Sequence, residues 1–526
     1  MIQEFTASQL LPFAVSFLLF LISILLFLKE KASLSLLFIV LGSVCLGISL
    51  TLLDPYLGTW DEQFHALVGK NLTKDFLHPT LYDRPIFDYD YKNWTANHTW
   101  LHKQPLFLWQ IALSIKLLGA NVLAVRLPSI LAHAITSIFL YRIGKIAFNR
   151  NTGFIAALLF ALAFYPLELI TNKYATDHND LMFLFYCTAS IWSFCEYSVN
   201  ENKWWLILVG LFSGMAILVK WLTGLLVYAV WFFHSLFSNK LGNLFFEILR
   251  MVPSMLITFL TFLPWQFYIL SEFPRESAHE FSYNTEHFFD PVEGHRGDFL
   301  YHITEIPTIW GLGNISFVVV SLGILAIFIF AKSKGIKAAL AASIFTVYLF
   351  YSVAATKMTS FTIIAFPFIL VGVSAGLSWL VQLLEKLNKT VYKSVFFIVL
   401  CVCGYFCFNI NLMADHHSPK RSETNYNRSM ELMELDAIMK IDQSLNSRNL
   451  VIFNANITTH SHIAFMFHSS CVAYPFHPSQ EDIEMVKARG MKPAIFSLDS
   501  QGNYSINDDS VLKLIYSRES GELTVK

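Results

Sequence analysis

Charge is scarce in this chain. Of its 526 residues only 14% are Asp, Glu, Lys or Arg, against roughly 25% in soluble globular domains. Hydrophobic residues make up 55% and the mean hydropathy is +0.50. This excludes an ordinary soluble enzyme, a disordered chain and a coiled coil, and leaves a polytopic membrane protein. Neither sign of charge is in excess. With 37 basic and 38 acidic residues the net charge is -1, so no global basic surface calls for nucleic acid. Cysteine patterning is also missing. Six of the seven cysteines (Cys45, Cys187, Cys195, Cys401, Cys403, Cys407) lie in apolar runs and Cys471 stands alone in a polar tail. That is neither a disulfide framework nor a CxxC site. There is no Gly-rich phosphate loop, hence no expected nucleotide cofactor. Internal repeats and low-complexity tracts are absent as well.

What is present is a series of long apolar runs. Spanning helices need about 20 apolar residues each. Segments near 11–28, 34–53, 122–145, 153–171, 181–198, 204–219, 221–238, 246–270, 308–331, 337–355, 360–383 and 393–412 predict about twelve transmembrane helices. The first lacks a basic leader and a small-residue cleavage site, so it reads as a retained helix. Polar stretches at 54–105 and 271–307 interrupt the series, and a third begins at 413. The expected organisation is a transmembrane domain over 1–412 and a soluble domain over 413–526. In the tail a helical pattern covers 425–446. Short apolar runs at 449–454, 471–475, 493–498 and 511–516 alternate with helical stretches near 460–467 and 480–489, which predicts a small α/β domain.

Orientation follows from basic residues. Lys29 and Lys31, then Arg142, Lys145 and Arg150, then Lys240 and Arg250, then Lys332, Lys334 and Lys337, then Lys386, Lys389 and Lys393 fall on one side if the helices alternate. That side is expected to be cytoplasmic, with both long loops and the tail outside.

The outer side carries the chemistry-bearing residues. Asp61-Glu62 begin the first loop region after Gly58-Thr59-Trp60; a carboxylate there suits a general base or the first turn of a helix. His102-Lys103-Gln104-Pro105-Leu106 closes the same loop. Lys103, Lys173, Lys220 and Lys357 all fall on the side that disfavours lysine. A basic patch there fits a phosphate or pyrophosphate head group, while snorkelling accounts for any single member. Asp177 and Asp180, three residues apart, share a face if the segment is helical, and suit hydrogen bonding to a polar substrate. In the second loop His287, His295 and Arg296 are candidates for phosphate contact. With His102, either histidine is a candidate ligand for a divalent metal, although no fixed metal spacing is present.

Taken together, Asp61-Glu62, Lys103-Gln104-Pro105-Leu106, Arg126-Leu127-Pro128-Ser129, Thr176-Asp177, Val219-Lys220-Trp221-Leu222-Thr223-Gly224 and Lys357 before Pro367 resemble a known pattern. It is that of the polyprenyl-phosphate-dependent membrane glycosyltransferases of the GT-C fold, the branch with lipid A aminoarabinose transferases and dolichyl-phosphate-mannose protein mannosyltransferases. The resemblance covers roughly 50–380. It implies inverting transfer of a sugar from a polyprenyl-phosphate donor outside the inner (cytoplasmic) membrane, on the periplasmic side. The acceptor would be lipid A, another glycolipid, a polysaccharide or a protein. Asp61, with Glu62 beside it, would be the base or acceptor-orienting carboxylate. Lys103 would hold the donor phosphate, with Arg126, Lys220, Arg296 and Lys357 as further phosphate-binding candidates and Lys173, Asp177 and Asp180 toward the substrate. The resemblance also implies a metal (Zn, Mg or Mn) at His102 with His287 or His295. The motif here reads Lys-Gln-Pro rather than Lys-Pro-Pro, and an extra helix precedes Asp61. The competing readings are a flippase for a lipid-linked glycan and a ligase for lipid-linked oligosaccharide.

Overall fold

The computed structural model describes residues 6–174, 178–238, 244–385, 388–417, 426–499 and 508–526. The chain divides into two compact units. The first comprises Met1–Leu50, Ser129–Ile170 and Asn179–His416; the second comprises Thr51–Pro128, Thr171–His178 and His417–Lys526.

Among the described residues, eight helices are long and apolar enough to cross a membrane. The number rises to ten if two bent helix pairs, Arg150–Ala161 with Phe164–Ile170 and Tyr301–Trp310 with Ile315–Phe330, each count as one span. The protein is therefore a multi-pass membrane protein, but the dozen predicted segments do not map one-to-one onto spans. The runs at 204–219 and 221–238 form one 34-residue apolar stretch broken by a 3-10 turn, Trp221–Leu225. The segment read at 181–198 is a helix, Asp180–Asn200, but Asp180, Glu196 and several Ser and Thr dilute its apolar character.

Packing inside the first unit uses small residues, as expected where lipid gives helices no hydrophobic reason to associate. Gly210 and Gly214 of the Trp204–Lys220 helix face the Leu244–Glu272 helix. A Cβ at Gly210 would lie 2.3 Å from the Ser254 carbonyl oxygen. The close approach lets the Thr258 hydroxyl donate to the Gly210 carbonyl at 3.0 Å, while the Tyr228 hydroxyl bonds Ser254 and Thr258 at 2.9 and 2.7 Å.

In the second unit, the tail forms a five-stranded sheet of β1 (Leu450–Phe453), β2 (Val472–Ala473), β3 (Lys492–Leu498), β4 (Leu512–Tyr516) and β5 (Leu523–Val525). Its order is β2-β1-β3-β4-β5. All pairs are parallel except β4 with β5. Helices Tyr426–Ser444, Ser461–His468 and Gln480–Ala488 accompany it. β1 is buried on both faces, and its continuous apolar Leu-Val-Ile-Phe run is the signature of a parallel strand. The predicted α/β tail is thus present, but it is not a separate domain starting at 413. Phe64, Leu67, Val68, Leu72, Tyr82 and Trp100 of the first loop region share one apolar core with Ile438, Ile452, Phe465 and Phe496 of the tail. Lys70 ends the Asp61–Leu72 helix and donates to the carbonyls of Met466, Phe467 and Ser469 at 2.7, 2.8 and 2.7 Å, satisfying the open C-terminal end of the Ser461–His468 helix. Arg84 donates to the carbonyls of Arg448 and Ser470, both at 2.6 Å.

Candidate functional site

The Asp61–Leu72 helix opens with both carboxylates in its first turn, where the N-terminal partial charge favours them. Its preceding residue, Trp60, has φ 66° and ψ −131° and makes no side-chain cap. The Pro105–Leu118 helix carries proline in its first turn, and extended Gln104 leads into it. That entry sets Lys103 immediately before the helix. The structure brings Lys103 and Asp61 together: Nζ lies 3.2 Å from Oδ2. Asp61 is 6% exposed, and its Oδ2 makes no directed hydrogen bond among the described residues.

Its neighbour Glu62 has a different fate. The carboxylate is fully buried and takes two hydrogen bonds from Arg126, at 2.7 and 2.9 Å, plus the Gly58 N–H at 2.7 Å. Arg126 also donates to the carbonyls of Asp54 and Tyr56 at 2.7 and 2.9 Å. Arg126 is fully buried and its donors are occupied by protein. Arg126 and Glu62 thus hold each other and the turn that precedes the Asp61–Leu72 helix. A second knot supports the same turn. Asp54 pairs with Arg428 and His417, and Arg428 donates to the Leu53 carbonyl at 2.7 Å.

Behind the turn lie two buried histidines. His65 Nδ1 and His178 Nδ1 are 2.9 Å apart, so one ring donates and the other accepts. Burial holds both rings below the usual histidine range, His65 well below it. His102 stacks on Trp94 at 4.3 Å with planes 5° apart. Asn172 donates to the Thr59 carbonyl at 3.3 Å. A Cβ on Gly58 would meet Asn172 Nδ2 at 2.3 Å, so a larger residue there would have to displace the Asn172 amide. Lys173 lies partly exposed near Glu431.

The tail supplies a residue that sequence reasoning missed. Glu431, on the Tyr426–Ser444 helix, accepts the Thr59 backbone N–H, and burial followed by the Glu434 carboxylate pushes it up to about 7. The available signal was two glutamates three residues apart, a like-charged pair on one helix face.

The first unit holds the other predicted residues. Lys220 pairs with Asp180, whose second oxygen takes the Ser360 hydroxyl, and its ammonium lies 4.4 Å from the centre of the Phe361 ring. Lys357 is buried and donates to the carbonyls of Tyr351, Ser352 and Ala354 at 2.8, 2.7 and 2.5 Å. It caps the end of the Lys334–Val353 helix. Of the four outer lysines, Lys103 and Lys173 belong to the second unit and Lys220 and Lys357 to the first. His287 and His295 offer backbone carbonyls to the N–H groups of Thr356 and Lys357, both at 3.0 Å. Arg296 is exposed. Asp177 lies outside the described residues.

Among the described residues, no group of three or more His, Cys, Asp or Glu is placed to hold a metal ion. His102 is engaged by an aromatic ring, and His287 and His295 are seen bonding through their backbones.

The architecture, helical spans followed by an α/β tail, is the GT-C fold. Residues 102–268 match the family model of dolichyl-phosphate-mannose-protein mannosyltransferases. ArnT from Cupriavidus metallidurans bound to undecaprenyl phosphate is similar in structure, with a TM-score of 0.58 and 14% identity over 86% of this chain and 87% of that one. Its apo form gives 0.58 at 12% identity over 83% and 84%. The archaeal oligosaccharyltransferase AglB from Archaeoglobus fulgidus, in complex with an inhibitory peptide and a dolichol-phosphate, gives 0.53 at 12% identity over 84% and 64%. No curated protein matches the chain significantly.

Proposed function

We propose that this protein is an integral-membrane glycosyltransferase that moves a sugar from a polyprenyl-phosphate donor to an acceptor hydroxyl or amine. The observation that carries the reading is the Asp61–Lys103 pair, a buried carboxylate oxygen without a directed hydrogen bond, 3.2 Å from an ammonium. The family match over 102–268, which includes Lys103, supports it.

The chemistry needs little more. In the hydroxyl case, Asp61 takes the acceptor proton as the oxygen attacks the anomeric carbon from the face opposite the phosphate. The bond from that carbon to the phosphate oxygen breaks, and the electron pair leaves with polyprenyl phosphate. Inversion follows from single displacement. Lys103 meets the charge that develops on the leaving phosphate. While no donor is bound, the same ammonium pairs with Asp61 and holds it in place. Donor phosphate would compete for Lys103 and leave the carboxylate to act as base. Basic residues on alternate turns support a site outside the inner membrane, on the periplasmic side.

The test is binding of undecaprenyl phosphate to the purified full chain, followed by native mass spectrometry. Wild type is expected to bind, and Lys103→Ala to bind about tenfold more weakly. Well-folded wild type that binds no polyprenyl phosphate removes the premise.

A further inference from the structure

Trp60 is retained at a conformational cost that nothing local requires. Its φ of 66° with ψ of −131° is a region that bulky residues rarely enter. The position just before a helix favours Ser, Thr, Asp, Asn or Gly, whose side chains cap it or whose backbones relax there. Tryptophan does neither. Nor is the ring consumed by the core: Trp60 is 38% exposed, although Asp61 beside it is 6% exposed. One neighbour is the imidazole of His460 from the tail, at 4.8 Å and 76°. Just upstream, the half-buried carboxylate of Glu431, also from the tail, holds the Thr59 N–H. A partly open indole thus immediately precedes the Asp61–Lys103 pair in the chain, with His460 of the tail against the ring and Glu431 of the tail on the preceding backbone.

Rings of this kind suit one class of ligand. The axial C–H groups of a pyranose carry slight positive charge and pack on the negative face of an indole. Its hydroxyls need fixed donors and acceptors around the edge. A carboxyl poised between its two protonation states near neutral pH supplies either. An extended peptide would instead ask for an unpaired strand edge, and the Gly58–Asp61 turn offers none.

We propose that the Gly58–Asp61 turn and the tail together form the acceptor subsite, with Trp60 as a stacking platform for a sugar ring and Glu431 as a hydrogen-bonding partner for its hydroxyls. This rests on the transferase reading and narrows it: the acceptor presents a glycan, as in a glycolipid or polysaccharide, rather than a protein side chain.

The experiment is saturation-transfer NMR on the full chain in nanodiscs with the methyl glycosides of glucose, galactose and glucosamine. A serine- and threonine-containing peptide serves as the competitor class. At least one glycoside is expected to receive saturation at its ring protons. Trp60→Ala should weaken that binding roughly three- to tenfold, Trp60→Phe should restore most of it, and undecaprenyl phosphate binding should be unchanged in both. Glu431→Gln should weaken it as well, and decides the matter if Trp60→Ala does not fold. Glycoside binding that is indifferent to both substitutions overturns the subsite. So does peptide binding in place of glycoside. If undecaprenyl phosphate binds and no glycoside does, the subsite falls and the transferase reading stands. If neither binds, the underlying reading falls too.

Discussion

Two tryptophans break helical geometry beside a charged side chain, one in each unit. Trp60 precedes Asp61 at φ 66° and ψ −131°; Trp221 follows Lys220 at φ 65° and ψ −159°. The local device is nearly the same, but the surroundings are not. Around Trp221 the polar groups are mutually satisfied: Lys220 pairs with Asp180, and Ser360 occupies the other carboxylate oxygen. Around Trp60 the Lys103–Asp61 pair leaves a buried oxygen with no directed hydrogen bond. Strain alone therefore does not mark a reactive site. The distinguishing feature is how the nearby polar atoms are held, because a group fixed by directed hydrogen bonds has more to lose before it can serve a substrate than one held by an ion pair alone.

Breaking the comparison begins at Asp61. If its carboxylate is the base, Asp61→Asn keeps the size and loses the proton acceptor. Transfer is then expected to fall by about 10²- to 10⁴-fold, with undecaprenyl phosphate binding preserved. A near wild-type turnover rate in that variant would falsify the assignment. Asp180→Asn should act in the opposite manner, as described below.

The adjacent carboxylate sharpens the point. Glu62 and Arg126 are fully buried and bonded to each other, so removing one partner strands a charge. Arg126→Leu is expected to cost about 3–5 kcal/mol of stability, read as a loss of thermal stability or of folded yield. A variant that folds normally yet binds donor phosphate poorly would return Arg126 to the phosphate site.

Next in size is Asp180→Asn. This substitution weakens an ion pair and leaves Lys220 less well matched, so a loss of about 1–3 kcal/mol is expected. Residual transfer per folded molecule should stay within a few-fold of wild type. A selective collapse of turnover with unchanged melting would show that the first-unit pair is chemical rather than structural.

These contrasts also explain what could be read from sequence. Alternation in the tail was legible because parallel strands and amphipathic helices leave different hydrophobic periods: the run at 449–454 became β1, and that at 493–498 lies within β3. Asp61 and Lys103 were legible because charges at the edge of apolar segments are few. The Glu62 partner of Arg126 was not legible, because a basic residue in an apolar run looks the same whether it meets a phosphate or a buried glutamate. The carbonyl partners of Lys357 were hidden for a related reason: lysine on the outer side can cap carbonyls as well as bind anions. The joint core of first loop and tail was invisible, since Phe64 and Phe465 are some 400 residues apart and no local pattern records their contact.

The smallest expected effect separates the buried groups that surround the Asp61 turn. His65 and His178 are held below their ordinary 6.5 by burial. Below that pH the unfolded chain binds protons that the native rings refuse, so the stability they contribute is present above 6.5 and is lost as pH falls. Glu431 has the opposite sign. Its native carboxyl, facing Glu434, Lys173, Glu62 and Tyr56, keeps its proton up to about 7, whereas the ordinary value is 4.5. The unfolded chain releases that proton first, so the contribution of Glu431 is present below 4.5 and fades as pH rises to about 7. Thermal stability of the purified protein across pH 4.5–8 should therefore show two flanks of different origin. Glu431→Gln cannot titrate, and should flatten the decline toward neutral pH while leaving the acid flank in place. His65→Gln should soften the acid flank instead. If Glu431→Gln leaves both flanks unchanged, the carboxyl is solvated rather than held against the Thr59 N–H, and the tail does not reach the Asp61 turn through it.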